Sequence, residues 1–216
     1  MKYRYLFVLG RPGCGKSAFY RELERQITAS NQNVTIERVD DFPKLWARFR
    51  ADDALEEAGK QRIYVKRIAG EHYRVIDEEA FQVLLDVVLQ EVNADVLQSH
   101  RPDHLIVVEF ARSSYVEAMG TFDPSVLDNC IAVYMEVGFD ICWARNVARH
   151  EAAIAKGGDD HLVPRDHMEN QYRHDDQGTF VQYMKDQGIP VIVINNEAKG
   201  KEHLKRQVGE LFADLF

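Results

Sequence analysis

Apolar residues along this chain are grouped into short runs, which longer amphipathic stretches separate. The runs cover residues 5–9, 34–39, 104–110, 130–137 and 189–195. Several are almost continuously apolar instead of alternating with polar residues, which is typical of strands covered by helices on both faces. Helical spacing is found over about residues 17–29, 78–97, 114–119, 139–156, 165–175 and 199–215. Strands that alternate with helices in this way predict an α/β fold with a doubly wound, five-stranded parallel sheet.

Two segments interrupt this alternation. Residues 62–77 alternate apolar and polar side chains around Gly70 and Glu71, which predicts a β-hairpin inserted between the second and third core strands. Alternation alone does not distinguish a solvated edge hairpin from a functional one, so both interpretations stay open. Residues 156–172 are polar, broken by glycine and proline, and follow the helix after the fourth core strand. We interpret this segment as a lid or a substrate loop.

Length and composition limit the classes of protein. The 216 residues suffice for one good core, so we expect a single domain over 1–216, with an insertion at about 40–103 and a lid at about 145–172. The formal net charge of −8 argues against a broad nucleic-acid-binding surface. No apolar run is long enough to span a bilayer and no signal-peptide core is found, so we expect a cytoplasmic protein without a membrane partner. The three cysteines form no C-x-x-C pair, which indicates neither a disulfide framework nor a zinc site.

A glycine-rich loop joins the first strand to the first helix. Its spacing, Gly10-x-x-x-x-Gly15-Lys16-Ser17, is that of a phosphate-binding loop. Glycine lets successive backbone N–H groups turn towards an anion, and the positive end of the following helix dipole points at the same place. We expect Lys16, as an exposed loop side chain, to reach the β- and γ-phosphates and Ser17 to bind Mg²⁺. The predicted nucleotide-binding residues are Gly10, Arg11, Pro12, Gly13, Cys14, Gly15, Lys16, Ser17 and Ala18.

A phosphate loop alone does not separate kinases from switches and motors. Regulatory GTPases also carry Asp-x-x-Gly after a strand and Asn-Lys-x-Asp for guanine. The stretch from Asp175 to Gly178 has the first spacing but lies in a helical segment, and "NNEAKG" at 195–200 has no matching aspartate. The motifs therefore argue against a regulatory GTPase.

Carboxylates stand at the ends of two predicted strands. Asp40 and Asp41 follow the second strand, at the sheet edge where open α/β sheets bind ligands. One could accept a proton from an attacking hydroxyl or hold a ribose hydroxyl, and the other could cap the helix that begins near Pro43. Glu109 ends the third core strand, where a carboxylate is costly to bury unless it faces a metal, water or a cation. Glu109 is a candidate to orient Mg²⁺ or to act as the base, with Arg112 close by to bind phosphate or substrate.

Basic residues follow the fourth core strand. Arg145 and Arg149 are four residues apart on a predicted helix and therefore share a face. Arginines in this position could fold over transferring phosphates and neutralise developing charge, and a solvated basic face is the alternative. His161 follows in "DDHLVP" at 159–164, where acids and a proline accompany it.

In this order the motifs resemble those of the P-loop nucleoside and nucleotide kinases, most closely the uridine kinase and nicotinamide riboside kinase branch. The chain offers "GRPGCGKS", "DDFPK", "VVEF" and "RNVAR" in the family's sequence of phosphate loop, aspartate motif, strand-end glutamate and lid arginines. "DDHLVP" also looks like the family's histidine-proline segment. Phe110 stands where the family often has glycine, so the acceptor pocket is expected to differ.

The resemblance implies a P-loop kinase fold and an enzyme that transfers the γ-phosphoryl group of ATP, with Mg²⁺, to a hydroxyl of a small-molecule acceptor. The acceptor is expected between Asp40, Asp41, Arg112 and the hairpin, with Phe42, Trp46 or Tyr64 in its wall. Ser17 and Glu109 are expected close enough to share a hydrated Mg²⁺, because the first and third core strands are neighbours in this fold. A nucleoside-like acceptor ranks ahead of a nucleoside monophosphate, and an NTP-binding regulatory ATPase without an acceptor is the alternative of another class. The oligomeric state stays open, a homodimer included.

Overall fold

The computed structural model describes residues 1–30, 33–68, 72–156, 162–198, 200 and 202–216. In these ranges the strands are β1 (Tyr5–Leu9), β2 (Thr35–Asp40), β3 (Val65–Ile68), β4 (His72–Val75), β5 (His104–Phe110), β6 (Cys130–Glu136) and β7 (Val191–Asn195). Five of them form one sheet in the order β2-β5-β1-β6-β7, and every neighbouring pair in it is parallel. The predicted parallel sheet is confirmed.

The helices of the described chain are α1 (Lys16–Ala29), α2 (Phe42–Glu57), α3 (Glu78–Gln98), α4 (Tyr115–Met119), α5 (Pro124–Leu127), α6 (Phe139–Ile154), α7 (Arg165–Tyr172), α8 (Gln177–Asp186) and α9 (Glu202–Leu215). The helical spacing in the sequence indicates all of these except α2, of which only the start was expected, and α5 and α8. Helix α2 buries only Phe49 and Asp52, so its amphipathic pattern is weak. None of these helices is long and apolar enough to cross a membrane.

Side chains of β1 alternate between two cores. Tyr5, Phe7 and Leu9 belong to a core that includes residues of α3 and α8, such as Leu89. The intervening Leu6 and Val8 belong to a second core with residues of α1, α6 and α9. Because successive strand residues point to opposite faces, helices must cover both faces of the sheet. This arrangement explains why the central strands read as continuous apolar runs.

Strands β3 and β4 form the predicted hairpin. They pair antiparallel from Val65 with Val75 to Ile68 with His72. The predicted turn at Gly70 and Glu71 lies outside the described residues. The buried Asp52 of α2 holds the start of the hairpin, because its carboxylate accepts the backbone N–H groups of Ile63, Tyr64 and Val65 at 3.0, 2.7 and 2.7 Å.

A separate apolar cluster joins this hairpin to helices α2 and α3. Its buried members are Phe49, Val65, Tyr73, Phe81, Leu84, Leu85 and Val88. An ionic network lies beside it, in which Asp53 contacts Arg62 and Arg67 and accepts the hydroxyl of Tyr73 at 2.5 Å. The hairpin is therefore packed against the domain and forms part of its surface facing the sheet edge.

Candidate active site

A cavity of about 530 Å³ opens at the carboxyl ends of β1, β2 and β5. One end, which we call the phosphate end, is lined by Lys16, Ser17, Arg38, Asp40 and Glu109. The other, which we call the apolar end, is lined by Phe49, Val65, Tyr73, Phe81 and Leu85. Parallel strands bring their carboxyl ends to one edge of a sheet, and ligands of open α/β sheets bind there.

The phosphate loop has the backbone that its glycines predict. Gly13 has a φ of 84°, and a Cβ atom there would lie 2.3 Å from the carbonyl oxygen of Cys142. Gly15 has a φ of 107° and precedes the first residue of α1. Side chains other than glycine rarely adopt these angles. The N-cap residue of α1 is Gly15, which has no side chain to cap the helix, so the positive end of the helix faces the cavity without a capping side chain from that position.

Lys16 is held inside the loop. Its Nζ donates to the carbonyl oxygens of Gly10 at 2.7 Å and Arg11 at 3.2 Å, and the residue is only 8% exposed. The expectation of an exposed loop side chain is therefore wrong. Lys16 is the first residue of α1, and its side chain folds back over the loop.

Two other loop residues bind the protein. Arg11 donates from Nε to the carbonyl oxygen of Tyr172 at 2.6 Å and pairs with Asp175 at 3.2 Å. The guanidinium of Arg11 therefore connects the loop to the end of α7. The backbone of Arg11, and not its side chain, is then the part that could contact a phosphate. Cys14 is fully buried, and burial raises the pKa of its thiol, which agrees with a small residue that fills space in the loop. Its carbonyl oxygen accepts the side-chain N–H of Asn196 at 2.9 Å.

Asp40 and Glu109 meet Ser17 around one guanidinium. Arg38 Nη2 lies 2.7 Å from Asp40 Oδ2, 2.6 Å from Glu109 Oε2 and 3.3 Å from Ser17 Oγ. The structure thus brings together the two residues that the sequence analysis assigned to Mg²⁺. Burial raises the pKa of Glu109, and the charges of Lys16 and Arg38 oppose that rise.

Sequence reasoning missed Arg38. It lies on β2 two residues before Asp40, and residues at this spacing point to the same face of a strand. The available signal in the sequence was a basic residue on the strand, two positions before the aspartate that ends the strand and therefore on the same face.

Asp41 and Arg112 form a buried pair. Arg112 Nη1 donates to Asp41 Oδ2 at 2.5 Å and to the carbonyl oxygen of Ala111 at 2.7 Å, and Nη2 donates to the carbonyl oxygen of Leu85 at 2.9 Å. The two residues are 6% and 4% exposed. Asp41 lines the cavity, whereas Arg112 is absent from the described lining. Arg112 therefore orients a carboxylate in this structure, in place of the predicted contact with phosphate or substrate.

The two aspartates differ in their environment. Asp41 occupies the N-cap position of α2, but its side chain makes no capping bond. Asp40 makes the local turn instead, since its Oδ1 accepts the backbone N–H of Phe42 at 3.0 Å. Among the described residues Asp41 Oδ1 has no hydrogen-bond partner, and burial raises the pKa of the Asp41 carboxyl despite Arg112.

Arg145 and Arg149 of α6 both line the cavity. Arg145 Nη2 donates to the carbonyl oxygen of Asn196 at 2.9 Å, and Arg149 Nη2 donates to Asn146 Oδ1 at 3.1 Å. The predicted helix thus places both arginines in the lining of the site. Arg145 is half-buried and Arg149 is exposed, so the alternative of a solvated basic face stays open. The third residue of this region, His161, lies outside the described residues.

The apolar end combines residues from five elements, α2, β3, β4, α3 and α7. Phe42, predicted for the acceptor wall, lines the cavity, but Trp46 and Tyr64 are not among its described lining residues. Sequence analysis missed Tyr73 and Phe81 at this end, as well as His167 and Tyr172 of α7. Burial raises the pKa of the Tyr172 hydroxyl to about 12, so it stays protonated at neutral pH.

A Mg²⁺ ion fits the oxygen atoms at the phosphate end. Mg²⁺ in kinases is held by one or two carboxylates, nucleotide phosphates and water, and Ser17, Asp40 and Glu109 supply such oxygens. Groups of three or more His, Cys, Asp or Glu that could hold a metal by themselves are not found in the described ranges. The site therefore fits a metal that arrives with phosphate ligands, provided that Arg38 gives way.

No family model matches the chain, and no curated protein matches it in sequence. Solved structures do match it in fold. TT1252 from Thermus thermophilus is 14% identical with a TM-score of 0.52, over 100% of both chains. A sugar kinase from Janibacter sp. HTCC2649 is 11% identical with a TM-score of 0.50, over 97% of this chain and 95% of that one. The APS kinase of Mycobacterium tuberculosis, solved with AMPPNP and APS, is 12% identical with a TM-score of 0.50, over 99% of this chain and 98% of that one.

Such identities establish the fold and leave the reaction and substrate to be argued from the site. Assignment to the uridine kinase and nicotinamide riboside kinase branch stays a prediction. The sheet order, the phosphate loop between β1 and α1, and the likeness to solved kinases agree. The chain has the P-loop kinase fold.

Proposed function

We propose that this protein is an ATP-dependent kinase that transfers the γ-phosphoryl group to a hydroxyl of a small, nucleoside-like acceptor. One observation carries the proposal: a single cavity joins the phosphate loop to an apolar compartment, with carboxylates between them. A phosphoryl donor and a hydroxyl acceptor need such adjoining sites, because transfer proceeds in line between them. We keep the cytoplasm as its location, since the three cysteines are free thiols.

The phosphate end would bind the triphosphate. Backbone N–H groups of the loop and the start of α1 attract phosphate oxygens, and Lys16 Nζ would exchange its two carbonyl contacts for the β- and γ-phosphates. Mg²⁺, held through Ser17, Asp40 and Glu109, would neutralise charge on the same phosphates. Arg145 and Arg149 line the cavity from α6, where they would stabilise the charge that develops during transfer.

Asp41 is the carboxylate that we assign to the acceptor. Its Oδ2 is fixed by Arg112, which leaves Oδ1 to accept a hydrogen bond from the attacking hydroxyl. The raised pKa of Asp41 makes its carboxylate a stronger base than an exposed aspartate, which favours removal of the hydroxyl proton. Asp40 is engaged by Arg38 and by its own turn, so it suits the metal side of the site better.

The character of the apolar end favours an uncharged acceptor. The cations of the described lining all belong to β2, α6 and the first helix with its loop, and none belongs to α2, the hairpin or α3. They are Lys16, Arg21, Arg38, Arg145 and Arg149. A nucleoside monophosphate would place a second anion where the described lining offers no cation, and an unpaired buried anion is costly. A regulatory ATPase would need no such compartment. A hydroxyl compound with a flat or apolar body suits it best.

Transfer of radiolabelled phosphate from ATP to a panel of nucleosides, matched 5′-monophosphates and simple sugars tests the proposal. We expect labelling of at least one nucleoside-like alcohol and none of the monophosphates. Asp41→Asn should abolish transfer while ATP binding is kept, and Asp40→Asn should weaken metal-nucleotide binding. Hydrolysis of ATP without labelling of any acceptor would support the regulatory ATPase, and full transfer by both variants would remove the aspartates from the mechanism.

A further inference from the structure

Arg38 occupies the point where three oxygen atoms of the phosphate end converge. One nitrogen, Nη2, lies within 2.6–3.3 Å of Glu109 Oε2, Asp40 Oδ2 and Ser17 Oγ. Glu109 Oε2 is buried and accepts no hydrogen bond among the described residues, so the ion pair with Arg38 is its principal contact. An oxygen atom of this kind needs a cation, and the chain supplies one from β2.

Two carboxylates are forced together here by the sheet. Asp40 and Glu109 are partners in the register of β2 and β5, at the ends of adjacent strands. Like charges at the ends of adjacent strands repel strongly in a partly buried site, and a cation that lies between them offsets that repulsion. With Arg38 present, the pair has lost much of the negative charge that attracts a divalent ion. With Arg38 absent, two adjacent carboxylates and a hydroxyl would be left without the cation that now lies between them.

We propose that Arg38 is a resident cation that keeps the Ser17, Asp40 and Glu109 oxygens from binding free divalent metal. Mg²⁺ then enters only together with a nucleotide, whose phosphates supply further ligands and charge, and Arg38 withdraws as it enters. The inference rests on the proposed function for the nucleotide, but the exclusion of free metal concerns the protein alone.

The structure offers a place for the withdrawn side chain. The Arg38 guanidinium lies 5.6 Å from the ring of Tyr20 on α1, and its side chain is 30% exposed, so it can leave the three oxygens towards this ring and solvent on the same face of the sheet.

Binding of Mn²⁺ to the nucleotide-free protein tests the proposal. The decrease of the EPR signal of free Mn²⁺ measures this binding. We compare wild type with Arg38→Gln, and with Arg21→Gln as the matched control. Arg21 also lines the cavity and loses the same charge, but it makes no described contact with Asp40 or Glu109. We expect weak Mn²⁺ binding by wild type and Arg21→Gln, and binding at least about tenfold tighter by Arg38→Gln, because a unit charge a few ångströms away is removed.

Two further Mn²⁺ titrations identify the binding site. Adding Glu109→Gln to Arg38→Gln should abolish the gain in Mn²⁺ affinity, and adding AMPPNP to wild type should restore tight Mn²⁺ binding. Tight Mn²⁺ binding by the nucleotide-free wild type would overturn the proposal even if Arg38→Gln failed to fold. Equal Mn²⁺ affinity of wild type and a folded Arg38→Gln, or an equal gain in Arg21→Gln, would also overturn it. No acceptor enters these titrations, so they stand apart from a failure to find a kinase activity.

Discussion

The two ends of the cavity differ in how they are built. The phosphate end comes mainly from one continuous stretch, the loop between β1 and α1, joined by side chains at the ends of β2 and β5. The apolar end comes from α2, the β3–β4 hairpin and α3, and packing of aromatic rings holds it together, such as Phe49 with Tyr73 at 5.3 Å. The first end can serve any nucleotide-dependent reaction, whereas the second has to match one acceptor.

Asp41 lies where the two ends meet. Its partner Arg112 also binds the carbonyl oxygen of Leu85, a residue of the apolar end. Substitutions in these three regions should therefore have different effects. A substitution at the phosphate end should lower turnover, one at the apolar end should lower the affinity for the acceptor, and one at the Asp41–Arg112 pair should lower stability.

Lys16→Ala should have the largest effect. We expect turnover to fall by about 10³-fold or more, because the ammonium group stabilises charge on the transferring phosphate. Steady-state transfer at saturating ATP and acceptor measures this. Because Lys16 is buried, the thermal unfolding of the variant must be measured too. Near-wild-type turnover would remove the loop from the chemistry.

Arg112→Ala should lower the free energy of unfolding by about 3–5 kcal/mol, because it leaves Asp41 buried without its partner. Urea denaturation measures this, with Arg21→Ala as a control that should change stability by less than about 0.5 kcal/mol. The double variant Asp41→Asn/Arg112→Met should be more stable than Arg112→Ala alone. A loss below about 1 kcal/mol in Arg112→Ala would contradict the importance of the buried pair.

Phe42→Ala should raise the KM for the acceptor about tenfold while the KM for ATP stays unchanged, because the ring lines the cavity and adds apolar contact. Ile63→Ala is the matched control, since Ile63 is 53% exposed and lies outside the described lining. A rise in the KM for ATP instead would place the nucleotide base, and not the acceptor, beside Phe42.

The smallest effect concerns the ionic network beside the hairpin. Burial opposes ionisation of Asp53, but hydrogen bonds from Arg67, Tyr73 and Arg62 outweigh it and lower the pKa of Asp53 from 3.8 to about 2. A carboxyl whose pKa is lower in the folded state stabilises the protein above its unfolded pKa, and this contribution is lost as the pH falls. We therefore expect wild type to lose part of its stability relative to Asp53→Asn between about pH 4 and pH 2.

Thermal unfolding of wild type and Asp53→Asn across that pH range measures the difference. Glu57→Gln, which removes an exposed carboxylate outside the network, should follow wild type. Parallel pH profiles for wild type and Asp53→Asn would show that the network does not stabilise the hairpin.

Local pattern predicted much of the fold. The five apolar runs became the five strands of the parallel sheet, and the alternating segment became the hairpin. Helix α8 escaped prediction, although Phe180 and Met184, which it buries against the sheet, are four residues apart and have helical spacing. Helix α2 packs mostly against the hairpin and α3, so its pattern depends on partners that the local sequence does not reveal.

What the sequence determined by itself was the phosphate loop and the carboxylates at the strand ends. Their positions follow from spacing along the chain and from the rule that parallel strands end at one edge. What only the tertiary structure decided was which charges meet. Asp41 and Arg112 are 71 residues apart in the chain, and the Arg38 contacts with Asp40, Glu109 and Ser17 combine three separate segments. Charges interact over a few ångströms of space whatever their separation in sequence, so which charges neutralise each other in this site is decided only when the sheet forms.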